Sequence, residues 1–282
     1  MIRRFVALIF FAALAVASFC SPLAARAQET LRVCADPDYM PYSDRAREGF
    51  ENKVAQAVAG YLGEKLSYTW FSMRNTPGGF HTSGGFDEFI HETLRSGKCD
   101  LVVDVPYSNQ DLLTTQPYYV SSYVFVFDKA KGYDIESLDS PALRDLKIGF
   151  ETETPPEEGL IMRGIRVGNV PFDVGGTQGQ SPAVMLDALR NGRIQVAITW
   201  EPAVGYFLRN SAYSRLAIVP LPNSRQRGAP EQYIFPMSMG VRPGDTALQK
   251  RLNAVITTHQ AQLVSILNGF GVKLYQPNFN PY

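Results

Sequence analysis

Two stretches of this 282-residue chain follow one pattern. In "FDEFIHETLRSGKCDLVVDV" (86–105), Phe86, Phe89, Ile90 and Leu94 share one helical face, Gly97 stops the helix, and a nearly continuous apolar run follows. In "SPAVMLDALRNGRIQVAIT" (181–199), Val184, Met185, Ala188 and Leu189 do the same, Gly192 stops the helix, and Ile194 to Thr199 form the run. Helical spacing of apolar residues marks a helix, and glycine tolerates the left-handed geometry that ends one. An apolar run without alternation suits a strand of a parallel sheet covered on both faces. A chain that uses this pattern twice is constrained towards two α/β units.

The flanking segments complete each unit. "LRVCAD" (31–36) reads as a strand and is followed by the loop "PDYMPYSDRAREG". "FENKVAQAVAGYLG" then places Phe50, Val54, Val58, Tyr61 and Leu62 at helical spacing before Gly63, and "KLSYTWF" is a second strand. In the later unit "LKIGF" is a strand, "ETETPPEEG" a solvated turn-rich loop, and "VGNVPFDV" the next strand after a short helix near Leu160. Ser181 suits the cap of the following helix and Pro182 its first position. Each unit reads β-α-β-α-β, which predicts parallel sheets.

Three extended apolar segments lie outside the units: "SSYVFVFDK", "LAIVPLPN" and "QYIFPMSMGV". They predict a hinge of two crossing strands. A last helix, with Leu248, Leu252, Val255, Ile256, Leu263 and Ile266 at helical spacing, is expected to pack back on the first unit. The predicted layout is a first domain of residues 28–124 plus 222–282 and a second of residues 125–221.

Residues 1–27 have Arg3 and Arg4, an apolar run from Phe5 to Phe19, and Ala25-Arg26-Ala27 as a cleavage site. This reads as a secretory signal peptide, the run being short for a membrane span. Cleavage leaves 255 residues, enough for two modest cores. The mature charge is 24 minus 27, or −3, with no long basic run, which disfavours nucleic acid and anionic membranes as partners. Two mature cysteines, Cys34 and Cys99, in an oxidising compartment suggest one disulfide, two separate buried thiols being the alternative.

Catalytic and metal signatures are missing. There is no phosphate-binding loop, no G-x-S-x-G and no H-E-x-x-H. His81, His91 and His259 lack ligand spacing, and "SMRNTPGGFHTSGGF" (72–86) reads as a long loop. Asp38, Asp44, Glu48 and Glu51 do not have the spacing of a calcium loop and read as a solvated acidic face. The chain is therefore read as a non-enzyme without metal or cofactor.

The order of elements resembles the type II periplasmic solute-binding proteins. The carriers are "GFENKVAQAVAGYLG", "FDEFIHETLRSGKCDLVVDVP", "TTQPYYVSSYVFV" and "LDALRNGRIQVAITWEPAVGYF". Within that superfamily "RVCADPDYMPYS", "KCDLVVDVP", "TTQPYYVSSYVFV" and "AITWEPAVGYF" resemble the J proteins of methanol dehydrogenase operons. The resemblance implies a two-lobed fold with two βαβ-type domains and a Cys34–Cys99 bridge across neighbouring strands. It also implies a periplasmic monomer that partners a PQQ-dependent methanol dehydrogenase, possibly with that enzyme's cytochrome c. The chain departs from the pattern in its 75–86 glycines and in Glu201, where a small residue is expected.

An amino-acid receptor of this kind grips its ligand carboxylate with an arginine, whose fork gives two charge-assisted bonds. Asn109, Gln110 and Asp111 stand at the candidate positions, and Asp111 would repel a carboxylate. Open α/β sheets bind ligands at strand C-terminal ends. The candidate cleft is therefore Asp36, Asp38, Tyr39, Tyr42, Pro106, Tyr107, Tyr118, Tyr119, Trp200, Glu201 and Tyr206. So aromatic a surface suits a protein segment or an apolar solute. The expected function is a non-catalytic accessory of methanol oxidation. The alternative is the binding component of an importer for a small neutral solute.

Overall fold

The computed structural model describes residues 28–72, 83–165, 168–174, 181–225, 227–228 and 230–275. The predicted signal peptide, most of the predicted 72–86 loop and residues 175–180 lie outside the described residues.

The chain begins with β1 (Thr30–Ala35), the two-residue strands β2 (Asp38–Tyr39) and β3 (Ser43–Asp44), and α1 (Phe50–Leu62). Asn52 helps to start α1: its Oδ1 accepts from the backbone N–H of Gly49 (3.2 Å) and Asp44 (3.0 Å). Gly63, at φ 70°, ends it. Phe50, Val54 and Val58 are fully buried, but Tyr61 is 39% exposed and stacks on His259 at 3.7 Å.

Then come β4 (Lys65–Trp70), α2 (Ser83–Ile90) with a π-helical turn (His91–Arg95), and β5 (Leu101–Pro106). The helix thus begins at Ser83, within the predicted loop. Gly97 has φ 73°, as its place after the helix requires. Leu101 to Val105 are all buried, so β5 is covered on both faces. The disulfide Cys34–Cys99 joins the end of β1 to the approach to β5, with Cα atoms 5.5 Å apart.

After β6 (Leu113–Thr114) and β7 (Tyr119–Asp128) the second unit follows: β8 (Ile148–Glu151), α3 (Pro155–Met162), β9 (Val170–Phe172), α4 (Ala183–Arg190) and β10 (Val196–Trp200). Ser181 Oγ accepts from Ala183 N–H at 3.3 Å, while Pro182 sits at the cap rather than inside the helix. The chain ends with α5 (Glu201–Leu208), β11 (Leu216–Pro220), β12 (Ile234–Val241) and α6 (Thr246–Gly269). The sequence reading lacked α5, whose signal was Pro202 in the first turn.

The strand order is β4-β1-β5-β12-β7-β10-β8-β9, with β11 beside β7 and β6 beside β12. β4, β1 and β5 are parallel, as are β10, β8 and β9. Each trio is met by an antiparallel strand, β12 on β5 and β7 on β10. The trios therefore mirror each other about the β7–β12 ladder, where Tyr119–Ser122 pair with Ile234–Met237. Beyond Ser122, β7 pairs with β10 and β11 instead.

The core divides accordingly. One cluster joins Leu31, Phe50, Val54, Leu101, Met239, Leu252 and Leu263, so α6 packs on the first trio as expected. Two others gather Phe125, Ile148, Leu160 and Ile198, and Val124, Phe172, Met185 and Val204, around the second. The fold is a two-lobed α/β architecture in which the two crossing strands link the lobes.

Candidate binding cleft

Side chains from both lobes meet at the crossing ladder. The first lobe supplies Asp36 after β1, Glu51 in the first turn of α1 and Asp104 within β5. The second supplies Glu151 at the end of β8 and Trp200 at the end of β10. Asp36, Asp104 and Glu151 are 3%, 7% and 1% exposed.

Each carboxylate is held by its own neighbours. Asp36 Oδ1 accepts from Asp38 N–H at 2.8 Å. Tyr119 Oη donates to both oxygens of Asp104, at 2.9 and 2.8 Å. Glu151 Oε1 accepts from the Thr199 hydroxyl and from Trp200 N–H at 3.3 Å. Burial pushes the Asp104 carboxyl up to about 7, against the pull of the Tyr119 hydrogen bond. Burial also holds Glu51 well above the usual carboxylate range, and the nearby charges of Asp104 and Asp36 add to it.

Aromatic rings fill the space between. Tyr39 and Tyr42 stack at 4.6 Å with their planes 8° apart, and Tyr42 tilts on Phe50 at 5.0 Å. Tyr123, Trp200 and Phe235 form a T-shaped trio with centroids 5.1 to 6.4 Å apart, joining β7, β10 and β12. Burial first, and then Glu151 across the lobe boundary, hold the phenols of Tyr39 and Tyr123 above their ordinary range.

The predicted residues fall into three groups. Asp36, Tyr39, Tyr42, Tyr119 and Trp200 come together with Asp104, Glu51 and Glu151. Asp38, Pro106 and Tyr107 are exposed at the rim, Tyr107 at 47%. Tyr118, Glu201 and Tyr206 are turned elsewhere. Tyr118 is a core residue, fully buried, whose hydroxyl donates to Val103 O at 3.2 Å. Glu201 is fully buried and its Oε1 accepts from Lys273 N–H at 3.0 Å, so its carboxylate serves the C-terminal segment and not the cleft. Tyr206 packs on Phe207 (5.3 Å) and Phe270 (5.8 Å), on the same side as Glu201.

Other sequence expectations also change. Asp111 is half exposed and ion-paired with Arg95 at 3.1 Å, so it is drawn to the outer helical layer. "ETETPPEEG" is not a solvated loop throughout: Glu151 and Thr154 are buried, and α3 starts at Pro155. Within the acidic group read as a solvated face, Glu48 does lie at the surface, bonded to Lys53 at 2.9 Å. Glu51 instead faces the buried carboxylates. Sequence reasoning missed Asp104 and Glu151; the signal for Asp104 was an acid inside an otherwise apolar run.

Among the described residues no group of three or more His, Cys, Asp or Glu is placed to hold a metal ion. Among them also, no helix is long and apolar enough to cross a membrane.

No family model matches the chain. It is 28% identical over 261 residues to Protein MoxJ of Methylorubrum extorquens strain AM1, covering 86% of this chain and 81% of that protein. Among solved structures it resembles MxaJ of Methlophaga aminisulfidivorans MPT, at 26% identity, TM-score 0.75, and coverage of 87% of this chain and 100% of that one. It also resembles the periplasmic binding protein XoxJ of Methylobacterium extorquens AM1, at 32% identity, TM-score 0.68, and coverage of 87% and 99%. The match spans 81% of MoxJ, 100% of MxaJ and 99% of XoxJ, and by that measure this chain belongs to the MoxJ-type periplasmic binding proteins, the family of MxaJ and XoxJ.

Proposed function

We propose that this protein is an exported, non-catalytic accessory of PQQ-dependent methanol oxidation. In this reading it binds the dehydrogenase in the periplasm and assists its assembly, maturation or activation. The observation that carries the reading is the match to MoxJ, MxaJ and XoxJ over 81%, 100% and 99% of their lengths. The cleft supports it. The segment expected to supply a carboxylate-gripping arginine has none, and the wall is made of tyrosines and carboxylates that would repel an amino acid's carboxylate. The proposed contact surface is the exposed rim of Asp38, Pro106 and Tyr107 with the half-buried Tyr39 and Trp200, and the buried Asp36, Tyr42 and Tyr119 form the wall behind it. The proposed lobes are residues 28–124 plus 222–282 and residues 125–221.

The test mixes the mature protein with the cognate dehydrogenase, apo and holo. Light scattering after size exclusion reports mass, and dye-linked turnover reports activity. A complex, or a gain in activity that requires this protein, is expected. No complex and no gain would refute the reading, and a thermal shift with a small solute would then favour an importer's receptor.

A further inference from the structure

The hinge strands are not the only link between the lobes. After α6, whose apolar face lies on the first core, residues 269–275 leave the first lobe and run along α5 of the second. Their contacts are continuous. Arg209, at the C-terminal cap of α5, donates to Gly269 O. Phe270 lies between Tyr206 of α5 (5.8 Å) and Phe50 of α1 (6.2 Å). Gly271 faces Gly205 so closely that a Cβ on either would stand 2.6 Å from the other's carbonyl oxygen. Val272 belongs to the first core, whereas Tyr275 packs on the second. Lys273 N–H donates to Glu201 Oε1 at 3.0 Å, and Tyr275 N–H donates to Val120 O at 3.2 Å.

Two buried atoms in this contact have no hydrogen-bond partner among the described residues: Glu201 Oε2 and Tyr275 Oη. An ionised Glu201 therefore keeps one oxygen both desolvated and unpaired, a state that disfavours the closed contact. A protonated Glu201 removes that charge and with it most of the penalty.

We propose that residues 269–275 are a latch that clamps the second lobe to the first, with Glu201 as its catch, so that the lobes part only when the latch releases. The latch is independent of what the cleft binds and of the dehydrogenase reading.

The electrostatics agree. Burial pushes the Glu201 carboxyl up to about 8, with Lys273 pulling the other way through its backbone N–H and its charge. The charged or titratable groups around Glu201 are few. On α5 Tyr206 faces Phe270 and Arg209 is spent on Gly269. On the latch are Lys273 and Tyr275. On β7, Tyr119 is bound to Asp104 and Tyr123 to the Trp200 ring, and Glu151 of β8 is held by Thr199 and Trp200. None of these offers Glu201 Oε2 a hydrogen bond. A carboxyl raised in the closed state favours closure fully below its free value near 4.5 and progressively less as pH rises to about 8. The latch is thus tight in acid and loosens towards neutral and alkaline pH.

Hydrogen exchange on the full mature protein tests this, read on the amides of Lys273 and Tyr275 and corrected for intrinsic rates. Protection should fall about tenfold per pH unit between roughly pH 5 and 7.5 and level off above about 8.5. In Glu201→Gln, whose side-chain oxygen keeps the Lys273 N–H bond without charge, protection should stay high and flat. Gly271→Ala should release the latch at every pH and widen the distribution of lobe separations in small-angle scattering. Flat protection in the wild-type protein, a full pH response in E201Q, or unchanged scattering in G271A would each overturn the proposal.

Discussion

Replacing Asp104 by asparagine should abolish a fall in stability that the wild-type protein undergoes between about pH 4 and pH 7. The native carboxyl lies at about 7, against an ordinary aspartate value of 3.8. A carboxyl raised in this way stabilises the native state fully only below its unfolded value. That contribution is lost as pH rises through the native value. At about 1.4 kcal/mol per pH unit, the gap corresponds to roughly 4 kcal/mol. Asparagine mimics the protonated acid: its oxygen accepts from Tyr119 Oη, and its amide stands where the acid proton did. The two proteins should be equally stable near pH 4, and D104N more stable by up to about 4 kcal/mol near pH 8. Guanidinium unfolding of both across this range measures the difference directly; Glu201, present in both, cancels, while Glu51 loses in D104N the Asp104 charge that helps to raise it and so adds to the gain at high pH. A difference that stays flat with pH would show that Asp104 is not buried as described.

The Arg163 side chain is 1% exposed and bonds Asp139 and Glu231 at 2.6 to 3.0 Å, so Arg163→Met strands the buried Glu231 and should cost about 3–5 kcal/mol in urea unfolding. Asp139 keeps Arg227 at 2.9 Å, so Asp139→Asn should cost less. Removing the Cys34–Cys99 bridge, which closes 65 residues of chain, should cost up to about 4 kcal/mol on the chain-entropy estimate, measured as the shift in denaturation midpoint of the double serine variant. If the cleft meets the dehydrogenase as proposed, Trp200→Ala should weaken binding by at least about tenfold in calorimetry, because it removes the central ring of the Tyr123–Trp200–Phe235 trio.

The strands and helices were legible where burial is written into local pattern. β5 and β10 are covered on both faces, so their runs are almost wholly apolar, Asp104 being the exception in β5; α1 and α6 keep one face on the core, so their periods are plain. The cleft was legible only as a set of loop ends. Asp104 binds Tyr119, 15 residues away, and Glu151 binds Thr199, 48 residues away, and no local spacing encodes such pairs. Glu201 was misplaced for a related reason. Its neighbours in sequence belong to the cleft, but its partner, Lys273, arrives 72 residues later from the other end of the fold.

The place of β12 has a consequence for the order of folding. This strand, Ile234–Val241, lies between β5 and β7 in the middle of the sheet, although it is among the last elements to be made. Until it emerges, β5 lacks one neighbour and Met239 is missing from the first core. The amino-terminal lobe cannot close around its own residues while the chain is still being threaded outwards, and contacts of such sequence separation form slowly. The second lobe, contiguous around β8, α3, β9, α4 and β10, has no such wait. A stalled chain ending before residue 234 should therefore show a structured middle and an unfinished beginning.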